Sequence, residues 1–212
     1  ITISKNDYIF MQDISEGWEN AELEEKLLFE KAYALAVDIH KNQTRDQGSP
    51  YITHIDGIID IIENELGYNN YTYKILAALH DVLEDSLVIK FNDLKNMFGE
   101  NIATMVQLLT KTKDLTVEQY LKRMEDYKYP YVVAFVKLVD RLHNVRSLYF
   151  ILSSNPPKVE KYIIETETYY LPFAQKFDEE VYLLINHELD KIKTLLIKNN
   201  KALAYQYNKF HL

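Results

Sequence analysis

Thr53-His54-Ile55-Asp56-Gly57-Ile58-Ile59-Asp60-Ile61-Ile62-Glu63-Asn64-Glu65-Leu66-Gly67 carries apolar residues at 55, 58, 59, 62 and 66. That three-and-four spacing places them on one stripe of an α-helix. Thr53 can cap the start, Asp56 suits the positive first turn, and Gly67 is well placed as the stop. Similar stripes recur outward in both directions. Upstream, Leu23, Leu27, Leu28, Leu35, Ala36 and Ile39 form one, fading into the polar loop Lys41–Ser49 with Gly48 and Pro50. Downstream, Ile75, Leu76, Leu79, Val82 and Leu83 predict a helix from about Thr72 to Asp85. Two shorter helices, Phe91–Phe98 and Ile102–Leu109, meet at Gly99. Thr116 and Gln119 read as a capping box for a helix reaching about Tyr127. Pro130 suits the first turn of another, roughly Tyr131 to Leu148. After the break at Asn155-Pro156-Pro157, helical patterns run to about Tyr170, stop near Pro172, and resume from Asp178 to about Asn199.

No segment alternates strictly enough to demand a sheet, and the expected fold class is all-α. Composition agrees. Only 5 Gly and 5 Pro occur in 212 residues, which favours few turns and long helices. A hydrophobic share of 47% is that of a chain able to bury a core rather than a disordered one. With 24 basic against 32 acidic side chains, the net charge of −8 argues against a duplex-binding surface. No apolar run approaches the length of a bilayer span, and no charged-then-apolar signal opens the sequence. The absence of Cys removes disulfides, thiolate metal sites and Cys nucleophiles together. A cytoplasmic protein that binds neither nucleic acid nor membrane is the expectation. Residues 1–22, with no clean period and the only Trp (Trp18), read as an irregular or loosely helical arm. The helical core is expected over 23–177, and 178–212 as a C-terminal helical extension packing on the same domain.

Chemistry concentrates in Leu79-His80-Asp81-Val82-Leu83-Glu84-Asp85. On a continuous helix His80 shares a face with Glu84, and Asp81 with Asp85 or Glu84. An adjacent His-Asp pair can aim two ligands at one cation, with Glu84 and Asp85 standing one turn further on. One helix cannot complete a coordination shell. Asp140, embedded in the apolar run Phe135–Asn144, is the best further donor, because a buried charge there needs a partner or a metal. His54 can supply a second imidazole, giving a mixed nitrogen and oxygen site for a divalent ion. Against this stands the fact that a lone His-Asp dipeptide recurs by chance, and most helices carrying one are simply helices. His40 and His143 read as hydrogen-bonded structural residues, and His187 and His211 as chemically idle.

Several motifs in order sharpen the reading. Gln43-Thr44-Arg45-Asp46-Gln47-Gly48-Ser49-Pro50-Tyr51-Ile52-Thr53-His54, then Ala77–Asp85, Phe98-Gly99, Leu109-Thr110-Lys111, Val136–Asn144 and Tyr170–Ala174 together resemble the Rel/SpoT hydrolase family. The likeness covers about Leu23 to Phe177. It implies a compact multi-helix bundle of the HD superfamily, of the small single-domain alarmone hydrolase type, removing the 3′-pyrophosphate of (p)ppGpp to give GDP or GTP. By the same resemblance His54, His80, Asp81 and Asp140 are metal ligands and the ion is Mn2+. Zn2+ or Co2+ would suit such donors at least as well by the usual affinity order. Glu84 and Asp85 match the catalytic pair that handles the water and its protons. Arg45 and Asn144 match substrate-binding positions for a guanosine nucleotide, with Tyr51 and Lys111 as further candidates. Residues 178–212 are too few for the synthetase domain that bifunctional relatives carry, so hydrolysis without synthesis is the expectation. The sequence does not fix an oligomeric state.

The chain departs from the family pattern in three places: Asp46 stands where Lys is usual, Ile55 replaces Pro, and Ser86 replaces Thr. Asp46, if it points inward, weakens attraction for a highly phosphorylated ligand. It motivates two alternatives, an HD phosphohydrolase acting on another phosphorylated nucleotide, or a non-catalytic nucleotide-binding module.

Overall fold

The computed structural model describes the backbone of residues 5–210 and the side chains of 21–198. Among the described residues every regular element is helical, and the sole β feature is an isolated bridge between Thr44 and Pro50. The all-α expectation holds. The α-helices are α1 (Lys5–His40), α2 (Ile52–Asp60), α3 (Tyr71–Leu79), α4 (Val82–Asp85), α5 (Phe91–Phe98), α6 (Glu100–Leu109), α7 (Val117–Glu125), α8 (Pro130–Ser147), α9 (Pro156–Glu165), α10 (Leu171–Phe177) and α11 (Glu179–Phe210).

Helix α8 is the axis of the fold. Val133, Ala134, Phe135, Val136, Leu138, Val139, Leu142 and Val145 are buried on every side of it, the mark of a helix enclosed by others rather than resting on a surface. It packs against α2, α3, α6, α7, α10 and α11. Helix α1 packs on α3 and buries Ala32 and Ala36 completely. Helix α11 contributes Val181, Ile185, Leu189, Ile192 and Leu196 and packs on α8 and α10.

Several local expectations hold in detail. Gly67 and Gly99 take positive φ (+73° and +84°) where helices end, conformations that an L side chain strains to adopt. The capping box is present, with Thr116 accepting from Gln119 N–H at 3.1 Å and Gln119 accepting from Thr116 N–H at 3.0 Å. Pro130 occupies the first turn of α8.

Other boundaries differ. Residues 5–22 belong to the same continuous helix as the segment that follows, and Trp18's side chain lies outside the described residues. Helix α2 begins one residue before Thr53, whose hydroxyl donates to the Pro50 carbonyl at 2.8 Å rather than capping. Residues 61–65 widen into a π-turn. The helix expected over 72–85 is broken at His80-Asp81, where Asp81 adopts φ −105° and ψ 0°. Pro172 does not stop the chain, because a π-turn over 166–170 precedes it and α10 starts afresh with the proline in its first turn, where no N–H is required.

Phe135, fully buried, gathers Tyr68, Tyr73 and Tyr131 at ring-centroid distances of 4.9, 4.8 and 5.9 Å. Replacing it with Ala removes the centre of that cluster and is expected to cost about 3–5 kcal/mol of stability. Chemical denaturation of F135A should therefore show a markedly lower midpoint, and a loss under about 1 kcal/mol would mean the cluster is not the packing centre of this face.

Candidate metal centre and adjoining cavity

The break after α3 creates the centre. His80 closes α3 and donates from Nδ1 to the Ala77 carbonyl at 2.8 Å. A carbonyl only accepts, so Nδ1 carries a proton and Nε2 is the nitrogen that faces inward, where it can bind a cation once its own proton has left. That Nε2 is fully buried and has no hydrogen-bond partner. Asp81 turns out of the helix so that its Oδ2 lies 3.0 Å from the same nitrogen. From α2, His54 directs Nε2 to 3.1 Å from Asp140 Oδ1, and Asp140, on α8, lies 3.9 Å from His80 Nε2. One donor atom from each of His54, His80 and Asp81 falls within 4.8 Å of the others. Four side chains from three separate stretches thus converge, two imidazoles and two carboxylates around one orphaned nitrogen. This donor set fits a divalent cation.

Electrostatics favour positive charge at that point. Burial alone would lower the His80 imidazole, but the Asp81 carboxylate outweighs it and lifts the group to about 9. Burial would raise Asp81 and Asp140. The facing His80 holds the first well below the carboxylate range, and the Lys137 ammonium does so for the second. Lys137 donates to Asp140 Oδ2 at 2.7 Å, and Asn144 donates to Oδ1 at 2.6 Å. Both carboxylates therefore remain anionic inside the helical core, where a proton or a metal ion can balance them.

His143 orients His54. The two Nδ1 atoms are 2.8 Å apart, and burial, followed by the neighbouring His54 and Arg45, pushes the His143 imidazole down to about 3. One of the two Nδ1 atoms donates to the other, and with His54 as the donor its Nε2 is left free to bind a cation. Room for the His143 ring comes from Gly57: a Cβ at that position would lie 2.3 Å from His143 Nε2.

Glu84 and Asp85 follow on α4, exposed at the edge of the centre. Burial and the nearby Asp81 raise both carboxyls above their ordinary values. Glu84 accepts from the Lys111 backbone N–H at 3.4 Å, so Lys111 meets the site through its amide and is not among the residues lining the cavity described next. Asp85 lies 3.5 Å from His40 Nδ1, which also contacts Gln43 Oε1 at 2.6 Å while the His40 ring stacks on Tyr51.

Tyr51 links the centre to a cavity of about 300 Å³. Its hydroxyl donates to Asp81 Oδ2, and burial and that carboxylate raise the phenol far above its usual range. Arg45 and Asn144 share the wall, the guanidinium donating to Asn144 Oδ1 at 2.6 Å. A chain of contacts, Arg45 to Asn144 to Asp140, thus runs from cavity to metal centre. Leu148, Ile151 and Tyr162 form an apolar side, and Asp46 and Lys158 stand at the exposed rim. Arg141 turns away, packed between the Tyr162 and Tyr170 rings.

Of the residues singled out from sequence, all but Lys111 bring side chains to the centre, to its edge or to the cavity. Sequence reading missed the orienting role of His143 and its dependence on Gly57. An isolated Gly inside an apolar helical stripe was the available signal. The expectation of a continuous helical face through 80–85 gives way to a turn, because only the break lets Asp81 face His80 and His54 together.

These features define an all-helical domain with a His/Asp centre for a divalent cation beside a polar-rimmed cavity. The chain belongs to the HD domain family, whose model matches residues 32–179, and that family implies a divalent metal. Among similar proteins, the Bifunctional (p)ppGpp synthase/hydrolase SpoT of Escherichia coli K12 is 33% identical over 155 residues, covering 69% of this chain and 21% of its own length. A guanosine-3′,5′-bis(diphosphate) 3′-pyrophosphohydrolase of Aquifex aeolicus is 30% identical over 196 residues, covering 85% of this chain and 27% of its own. The chain thus spans about a fifth to a quarter of the curated relatives it matches. A solved structure described as a metazoan ortholog of SpoT that hydrolyzes ppGpp superposes with a TM-score of 0.64 at 20% identity, covering 77% of this chain and 94% of that one. At that identity the likeness concerns the fold.

Gly57→Ala tests the orienting contact. Alanine ordinarily favours a helix interior, but here the added methyl must displace a packed ring. The variant is expected to stay folded and to bind divalent metal at least about tenfold more weakly. Calorimetric titration with Mn2+ checks this, and unchanged affinity would show that His143 does not orient His54.

Proposed function

We propose that this HD domain is a metal-dependent phosphohydrolase that removes the 3′-pyrophosphate of (p)ppGpp, releasing GDP or GTP and pyrophosphate. What supports the proposal most is the contact chain Arg45, Asn144, Asp140, which joins the His/Asp cluster to a cavity of about 300 Å³. The activities named for the similar proteins support the choice of a guanosine nucleotide. His54, His80, Asp81 and Asp140 would hold the metal, with Mn2+ assigned from the family resemblance since the donors themselves do not select it. A divalent ion bound there would supply an acidified water and neutralise phosphoryl charge. Glu84 accepts the proton of the attacking water, its raised carboxyl suiting a base that must later release that proton, and Asp85 orients the water. Water oxygen bonds to the phosphorus attached to the ribose O3′, the P–O3′ bond breaks, and the O3′ leaving group takes up a proton. Arg45 and Asn144 position the nucleotide, and Tyr51 fixes Asp81 while lining the same wall. Asp46, the ground for the alternatives, pairs with Lys158 at 2.6 Å on the cavity rim, away from the metal donors.

Two substitutions separate metal binding from chemistry. Asp81→Ala should lose metal and turnover together. Glu84→Gln should retain metal by elemental analysis while kcat falls about 10²–10⁴-fold. Full activity in E84Q would remove Glu84 as the proton acceptor. Chromatographic detection of GDP and pyrophosphate from ppGpp tests the function itself, and intact ppGpp beside folded, metal-loaded protein would defeat it.

A further inference from the structure

Asp46 and Lys158 meet across the mouth of the cavity, one from the loop after α1, the other from the first turn of α9, with Nζ 2.6 Å from Oδ2. Their side chains are 53% and 47% exposed, so solvent and not packing surrounds the pair. Such an exposed pair is held weakly and exchanges partners readily. The other cavity cation, Arg45, is committed at the inner end to Asn144. Lys158 is therefore the ammonium at the outer end, and in the ligand-free protein a carboxylate already occupies it.

We propose that Asp46 is a specificity-determining residue, an internal counter-ion that competes with the ligand's non-reacting phosphates for Lys158. The inference rests on the guanosine nucleotide reading above. A nucleotide phosphorylated on both sides of its sugar that places one group at the metal centre directs the other away from it, toward the rim. To reach the Lys158 ammonium that second group must displace Asp46 and then lie beside a like charge. Each added charge at the outer end therefore gains less than it would against a free lysine, and the cavity discriminates weakly between nucleotides differing only in their 5′-phosphates. The carboxylate also keeps the lysine extended across the mouth, so its removal alters charge recognition without touching the reacting end.

The test compares wild type, D46N, K158M and the double variant. KM is measured for ppGpp and for guanosine 3′-diphosphate, which lacks 5′-phosphates. D46N is expected to lower KM for ppGpp about three- to fivefold, with little change for the 5′-free substrate, and K158M background should erase that gain. Equal shifts for both substrates, or a gain that survives in the double variant, would overturn the proposal. If wild type turns over neither substrate, the guanosine hydrolase reading fails by itself. Calorimetric binding of GDP against guanosine then decides the rim: tighter GDP binding in D46N that depends on Lys158 supports the competition, and equal ratios in all four proteins reject it.

Discussion

A carboxylate buried in a helical core governs this structure. Asp140 sits on α8 among fully enclosed aliphatic side chains, a position that strongly penalises an unpaired charge. It persists because Lys137 and Asn144 on its own helix hold its two oxygens and His54 arrives from α2. Helices α2 and α3, which deliver His54 and His80, both pack against α8, so the charge fixes the spacing of the centre while the apolar faces around it fix the fold. Lys137 illustrates the coupling: burial would lower it, yet Asp140 keeps it well above its usual value, and both partners stay ionised. The centre is thus pre-organised by the same packing that makes the domain stable.

Pre-organisation extends outward in one direction. His80 is oriented by a backbone carbonyl, His54 by His143, and Asp81 by Tyr51. Each contact sets which atom faces inward, so imidazole Nε2 atoms and carboxylate oxygens turn toward one another. The same Tyr51 belongs to the cavity wall, and Asn144 contacts both Asp140 and Arg45. A ligand that moves Arg45 or Tyr51 therefore acts on side chains already touching the metal donors.

Much of this was legible in the sequence, for identifiable reasons. Helix stripes, the capping box at Thr116–Gln119 and the stops at Gly67 and Gly99 are local features, and local rules read them. The ordered motifs pointed to His54, His80, Asp81 and Asp140 together, which periodicity by itself leaves open, and the fold brings the first three within 4.8 Å with Asp140 beside both imidazoles. What escaped was set by distant contacts. Apolar spacing through Asp85 gives no sign that the helix breaks at Asp81, since the break is stabilised by where the carboxylate goes and not by any local breaker. Pro172 was misread because the π-turn before it, invisible to a 3.6-residue period, had already reset the register. Asp46 showed its charge but not its partner, 112 positions away at Lys158.

The central claim is that these four side chains enclose a single divalent ion. Anomalous diffraction from crystals of Mn2+-loaded protein measures it directly. One strong peak per chain surrounded by His54, His80, Asp81 and Asp140 is the predicted result. A map with no peak there, from protein that still hydrolyses ppGpp, would contradict the account.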